Sequence, residues 1–467
     1  MLEGKFLKNP LIIILGIFVL GGIVWLVVSS RLQVDKLSSE AAGNVLRVPA
    51  QHATIQAAIN AALSGDTVLV APGTYSESLT INKVITLEGE GYKTNVNDLR
   101  LNPVKLSGNI AVNGGTSVWN QGPLIRGFHV TGGDPVKSFS PLILEYSYLR
   151  STSGDGLSFE AGGGGIARHN LIELSADDTI DVDHQTKHIW IEDNRLLNAG
   201  QDGLETRQHN DSIPSLVRLT FINNWVEGAG HDGIQIMDYN NNSNREYYIE
   251  RNLFIGNKRV AIGLMPGDVT DENYGAAAMP ERMYLFNNTF VNNNAGLSGG
   301  ANVIAVNNIF ADADSSFLFE LKNVTGSSIV AHSLLRNQSG LSGTVNLNAA
   351  TTKYGDPLLD ANYGLQTGSP AIDGGATTFT HNGQTVLQIP TSQYSGTAPD
   401  LGFRESGLSG PPPAAGSADL NGDGKVDVID LGILLSAWGQ TTKPKADINQ
   451  DGRVDVVDLG ILLSKWG

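Results

Sequence analysis

Six asparagines recur in one local context, and this repetition restricts the chain to very few architectures. They stand in "RHNLIE", "EDNRLL", "INNWVE", "ERNLFI", "FNNTFV" and "VNNIFA", at Asn170, Asn194, Asn224, Asn252, Asn288 and Asn308. Each is followed by an apolar pair or near-pair, and by subtraction the positions lie 24, 30, 28, 36 and 20 residues apart. A constant core with its surplus confined to polar stretches is the pattern of a solenoid whose rungs repeat while its loops vary. In such a coil one turn recurs on every rung, and its backbone groups need partners. Asparagine tolerates the left-handed angle, and its amide can bond both the turn and the asparagine stacked above. A β-propeller is the competing reading. Its four-stranded blades need roughly 40–50 residues per repeat, which these intervals do not reach.

Helical periodicity occurs once between Val45 and Gly407, in "TIQAAINAAL" (Thr54 to Leu63), before "GDTVLVAPGTY" turns to strand and turn chemistry. The whole stretch "VPAQHATIQAAINAALSGDTVLVAPGTYSESLTINKVITLEGEG" resembles the N-terminal cap and first rungs of secreted β-helix proteins of the pectin-lyase-like superfamily. "GDPLLDANYGLQTGSPAIDGGA" and "APDLGFRE" resemble their closing rungs. The resemblance implies a mainly β fold, a right-handed parallel β-helix over residues 45–407. It implies less about activity, because many such coils are not enzymes.

Three consecutive rungs align by motif: "DDTIDVDH", "QDGLETRQH" and "HDGIQIMD". Asp178, Asp202 and Asp232 then become equivalent. Side chains alternate along a strand, so Ile180, Leu204 and Ile234 point inward, and Asp181, Glu205 and Gln235 form an outward row. Asp183, Arg207 and Met237 form the next. Aspartates stacked about 4.8 Å apart repel unless a cation bridges them or protons neutralise some. Calcium held by oxygen ligands is one solution. Insertions at Asn210–Ser215, Asn240–Asn244 and Pro266–Pro280 would build a wall beside these rungs. Trp190, Trp225, Tyr239 and Tyr274 are sugar-stacking candidates, although core filling or a rung stack is the better explanation of any single one. His184, His209 and His231 flank the acids.

For activity, "DDTID", "KHIWIEDN" and "QDGLETRQHN" are similar to pectate lyases. That match puts Glu192 and Asp202 at calcium-ligand positions with Asp178 near them, and leaves Arg207, Lys258 or Arg259 to stand for the catalytic arginine. "DDTID", "GQDG" and "GHDGI" are also similar to polygalacturonase-type hydrolases. A lyase needs a neutralised uronate carboxylate, a base and a proton for the leaving oxygen. A hydrolase needs two carboxylates, one with a raised pKa. The catalytic candidates are Asp178, Asp181, Asp202, Glu205, Arg207 and Asp232, serving either a polysaccharide lyase or an O-glycosyl hydrolase. A non-catalytic adhesin or glycan-binding surface protein is the alternative.

After the Pro- and Gly-rich linker 408–417 the chain changes character. "ADLNGDGKVDVIDLGILLSAWG" and "ADINQDGRVDVVDLGILLSKWG" share 17 of 22 positions at an offset of 28. Each carries a twelve-residue calcium-loop pattern. In the first copy the ligand positions are Asp419, Asn421, Asp423, Asp427 and Asp430, with Lys425 offering only its carbonyl. In the second they are Asp447, Asn449, Asp451, Asp455 and Asp458, with Arg453 offering its carbonyl. Pro411–Pro413 and Pro444 leave no room for an incoming helix before either loop. Loop plus exit helix resembles the dockerin type I repeat, which implies a small all-α calcium domain over 418–467 and a cohesin-like scaffold partner.

At the other end, Lys5 and Lys8 precede an uncharged apolar run over 10–30, long enough for a membrane-spanning helix. Residues 1–9 would then lie inside the cell and 31–44 form a stalk, with the bulk of the chain extracellular at the cell membrane. Secretion after signal cleavage is the alternative. The net charge of -16 removes nucleic acid as a general partner and fits cations better. The absence of cysteine excludes disulfides and a thiolate nucleophile. The partners expected are an acidic polysaccharide, a scaffold protein and the membrane, with calcium as cofactor. In calorimetric titration of the full chain, Asp419→Ala with Asp447→Ala should lower calcium stoichiometry by two, and unchanged uptake would contradict the tail assignment.

Overall fold

The computed structural model describes residues 43–406, less 184–185, 209–214, 239–243, 267–278 and 313–318, together with 426, 431–432, 434–435, 438, 446, 454, 459 and 462. The strands wind into three long sheets of 12, 12 and 11 strands, and every pairing within them is parallel. The first sheet runs from Val45–Val48 to Ile329–Ala331, the second from Gly73–Tyr75 to Lys353–Tyr354, and the third from Leu79–Ile81 to Leu341–Val345. One turn of the coil reads Ile189–Glu192, Arg195–Leu197 and Leu204–Gln208 before Val217–Ile222 returns to the first sheet. This is a parallel β-helix. Strands of two to seven residues suffice because all but the terminal ones are hydrogen-bonded on both edges by their neighbouring rungs.

Inward residues stack into one continuous core. Ile180, Leu204 and Ile234 are register partners within it, as the alternation predicts. Phe254, Phe290 and Phe310 stack with ring centroids 5.2 and 4.7 Å apart. The open N-terminal end is closed by the expected helix, Ile55–Ala61. Thr54 Oγ1 accepts the Ala57 N–H, and the Glu77 carboxylate accepts those of Ile55 and Gln56. At the far end, the antiparallel hairpin Thr378–His381 and Gln384–Gln388 packs Val386 and Leu387 against Tyr248, Tyr284 and Phe286 on the outside of the first sheet.

The six asparagines form a ladder at the turn from the first sheet to the second. Oδ1 of each accepts the backbone N–H of its predecessor at 2.8–3.0 Å. Each Nδ2 also bonds a carbonyl of the rung behind, for example Asn224 to Ile191 O at 2.9 Å. Ser147 precedes the ladder and Ser333 ends it. One detail differs from expectation. The left-handed residue is the one before each ladder asparagine: His169, Asp193, Asn223, Arg251, Asn287 and Asn307, all with φ of 53–62°. The ladder asparagine must aim its amide along the stack, so the sharp bend falls one position earlier.

Among the described residues no helix is long and apolar enough to cross a membrane, and the run 10–30 lies outside them. In the tail, Val426 with Val454, Leu431 with Leu459, and Leu434 with Leu462 are pairs at the 28-residue offset. They join Ala446 in one apolar cluster, so the two copies pack as pseudo-symmetric halves of a single core. Asn224→Ala would leave the Asn194 N–H buried without a partner and remove the side-chain bond to the Ile191 carbonyl. At about 1–3 kcal/mol for such a group, with the lost bond in addition, urea unfolding should show a loss of about 3 kcal/mol, and a loss under 0.5 would contradict a structural ladder.

Candidate functional site

A second ladder, made of acids, runs through the turn from the second sheet to the third. Asp134 Oδ1 accepts the Asp155 N–H at 3.1 Å, and Asp155 Oδ1 accepts that of Asp178 at 3.2 Å. Asp178 serves Asp202 at 2.7 Å, Asp202 serves Asp232 at 2.6 Å, and Asp232 serves Val260 at 2.9 Å. The equivalence of Asp178, Asp202 and Asp232 is therefore physical: each carboxylate does for the next rung what an asparagine does at the other turn. The row also begins two rungs earlier than the three-rung alignment reached. The missed members Asp134 and Asp155 share a signature with the rest. An aspartate stands two positions before the first inward apolar residue, in "DPV", "DGL", "DTI", "DGL" and "DGI".

Asp178, Asp202 and Asp232 are 3%, 1% and 0% exposed, which makes their ionisation costly. Burial, and then the neighbouring Asp202, hold Asp178 well above the usual carboxylate range. Burial, and then Asp232, do the same for Asp202, while Arg259 at the head of the next rung works the other way. Burial also pushes Asp155 up to about 6.

The outward row predicted for the third sheet is observed, with Asp181, Glu205 and Gln235 in register. Arg207 reaches over it. Its guanidinium lies 2.9 Å from Asp183, 2.5 Å from Glu205 and 3.7 Å from Asp181. Burial would lower the Arg207 pKa, but Asp181, Glu205 and Asp183 hold it above its ordinary value, so it is a fixed cation. Burial pushes Asp181 up to about 8 despite Arg207, and raises Glu205 as well. Two groups of acids each bring their oxygens within 4.8 Å of one another: Asp155, Asp177 and Asp178, and Asp178, Asp181 and Glu205. Oxygens bound to one calcium at 2.3–2.6 Å lie no more than about 5 Å apart, so both sets fit that ion.

Other expected residues fall elsewhere. Glu192 lies at the end of a first-sheet strand, where it accepts the Trp190 Nε1–H, and a second-sheet strand separates it from Asp202. Trp190 is buried with Ile166 and Ile222, and Trp225 packs edge-on to Tyr363 on the second sheet. Tyr239, Tyr274, His184 and His209 lie outside the described residues, as do most of the three insertions. Each insertion nonetheless follows a third-sheet strand and precedes a first-sheet strand, which puts all three at one corner. His231 stands at the head of its rung, its pKa lowered by burial and then by Arg259. All twelve tail ligand positions, Asp419, Asn421, Asp423, Lys425, Asp427 and Asp430 in the first loop and Asp447, Asn449, Asp451, Arg453, Asp455 and Asp458 in the second, are likewise outside the described residues.

The three all-parallel sheets define a parallel β-helix. Its C-terminal segment, residues 417–465, matches the dockerin type I domain and is one. Dockerin type I domains bind calcium. Among solved structures the chain is similar to pectate lyase Pel9A, with 16% identity, a TM-score of 0.36, and coverage of 75% of this chain and 90% of that one. It is also similar to the catalytic unit of a GH87 alpha-1,3-glucanase from Streptomyces thermodiastaticus strain HF3-3, at 14% identity and TM-score 0.41, covering 68% and 70%. A Family 28 exopolygalacturonase from Yersinia enterocolitica follows at 12% and 0.35, covering 68% and 79%. No curated protein matches the chain. These likenesses speak to the fold alone.

The acid ladder makes a stability prediction. Asp202 has a raised folded-state pKa, so its contribution is fully present below its unfolded value near 4 and is lost as pH rises through the folded value. Asp202→Asn keeps the acceptor for the Asp232 N–H without the charge. Its thermal midpoint should exceed that of the wild type at pH 8 and match it at pH 4, whereas Asp202→Ala should be lower at both. Parallel curves for Asp202→Asn and wild type would show that the ladder charge costs nothing.

Proposed function

We propose that the β-helix binds and cleaves an acidic polysaccharide on the outer face of its third sheet, while the dockerin docks the chain to a scaffold protein. One comparison within the molecule carries this reading. The turn between the first and second sheets meets its hydrogen-bond demand with neutral amides. The turn between the second and third keeps five aspartates where amides would stack without repulsion, and adds Asp177, Asp181 and Glu205 beside them. Charge retained against its own cost points to a ligand that needs it.

Asp155, Asp177 and Asp178 would hold calcium, with Asp181 and Glu205 close by. When bound, the ion supplies positive charge against a uronate carboxylate. Arg207 adds a second fixed cation on the same face and orients the sugar. Asp181 and Glu205, both pushed toward neutral pH, are the proton-handling pair. One removes the proton beside the uronate carboxylate, the electron pair forms the new double bond as the glycosidic C–O bond breaks, and the other protonates the departing oxygen. Asp202 and Asp232 hold the rungs in register and set the charge around that pair.

A hydrolase would use the same pair as its two carboxylates, since oxygens of Asp181 and Glu205 lie within 4.8 Å of each other. A non-catalytic glycan-binding role would use the same face. For docking, Leu435 and Trp438 are 52% and 45% exposed in the tail, apolar side chains available to a cohesin-like partner. Residues 10–30 would anchor the chain with its bulk outside the cell.

Pectate, alginate and glycosaminoglycans, with and without calcium, separate the readings. Unsaturated ends identify a lyase, new reducing ends alone a hydrolase, and no product across the panel overturns the enzyme reading. Glu205→Gln and Asp181→Asn should each lower turnover by about 10²–10⁴-fold, and wild-type turnover in both would move the chemistry elsewhere.

A further inference from the structure

The outer face of the second sheet carries guanidinium charge that no carboxylate meets at ion-pair distance among the described residues. On this acidic chain, Arg100, Arg126, Arg168, Arg207, Arg218 and Arg251 each meet a carboxylate. Arg195 and Arg404 do not. Among the described residues neither has a carboxylate at ion-pair distance, although both are half-buried. Arg195 lies in register with Trp225 on the next rung, its guanidinium 4.5 Å from the indole centroid. Tyr363, from the closing segment, meets the same indole edge-on at 5.6 Å. Trp225, Tyr363 and Phe403 belong to one apolar cluster, and Arg404 stacks over Phe403 at 4.9 Å. The Arg404 Nε is buried without a hydrogen-bond partner.

A half-buried guanidinium cannot shed its proton as a lysine can, so its desolvation cost persists until an anion meets it. Both arginines show that cost. Burial lowers the pKa of each, Glu227 partly opposing it at Arg195 and Asp360 at Arg404, while Arg100 and Arg404 lower that of Arg195 further. Two planar forks flanking an indole and a phenol suit a flat, carboxylate-bearing ring: the forks bond the carboxylate and the aromatic groups cover the ring's apolar face.

We propose that Arg195 and Arg404, with Trp225 and Tyr363 between them, form an accessory site that binds the uronate residues of an acidic polysaccharide. This site is calcium-independent and lies on a different sheet from the acid cluster. It rests on the proposed function only for the class of saccharide. A chain held here wraps around the turn that carries the aspartates, and the second contact raises its effective concentration at the third sheet.

The test is calorimetric titration of the full chain in a calcium chelator with a size-defined oligogalacturonate, using its carboxyl-reduced analogue as the neutral control. The wild type should bind the acidic oligomer and not the reduced one. Arg195→Gln with Arg404→Gln should weaken binding about tenfold or more, since one charge-assisted hydrogen bond is worth about that factor. Arg195→Lys should retain part of the affinity. Matched thermal midpoints exclude unfolding of the variants. Wild-type affinity in the double variant overturns the site, as does equal binding of the reduced oligomer. If the acidic tail, tethered just after Arg404, covers the patch instead, the double variant leaves saccharide affinity unchanged and speeds proteolysis of the linker, which also overturns it. Failure of the acid-cluster reading is separate: it abolishes calcium-dependent product while this binding persists.

Discussion

Everything in this β-helix depends on satisfying one turn again and again. A parallel coil bends its backbone three times per rung, and each bend buries N–H and C=O groups that no strand can reach. Asn170 through Asn308 solve this with a column of side-chain amides that accept from one rung and donate to another. The column fixes register, and register decides which residues face the core and which face outward. Without it, Asp181 and Glu205 would not share a face.

The two ladders separate structure from function unusually cleanly. They perform the same hydrogen-bonding task, yet one is neutral and the other acidic. Acids at that task cost stability whenever they ionise, because Asp202 and Asp232 are almost fully buried and stacked on one another. Arg207 offsets part of the outward charge, but it sits over Glu205 and Asp183 rather than over the ladder itself. The second sheet presents the opposite situation, with guanidinium charge beside aromatic rings and no carboxylate at ion-pair distance from Arg195 or Arg404 among the described residues. Charge of opposite sign therefore lies on two faces of one coil.

Much of the fold was legible in the sequence. The asparagine context, the capping helix and the inward row Ile180, Leu204 and Ile234 follow from local chemistry and alternation, and all are observed. The outward pairing of Asp181 with Glu205 followed too. Asp134 and Asp155 were missed because one lies before a proline and the other in a Gly-rich turn, where aspartate is unremarkable by itself. The left-handed residue was misplaced by one position, since an Asn-Asn pair does not say which member bends. Arg195, Tyr363 and Arg404 carried no signal, because nothing local links residues so far apart in the chain.

The sequence by itself determined the repeating turn, the calcium-loop tail with its two copies, and the outward set of acids, because each rests on spacing within a few dozen residues. The tertiary structure decided what those acids face. Stacking turned three aspartates into a ladder of five with its last three members buried, brought Arg207 over Asp181 and Glu205, and folded the closing segment back so that Tyr363 meets Trp225. Burial and neighbouring charge, which set the behaviour of every one of these groups, are properties of the packed coil and not of any single rung.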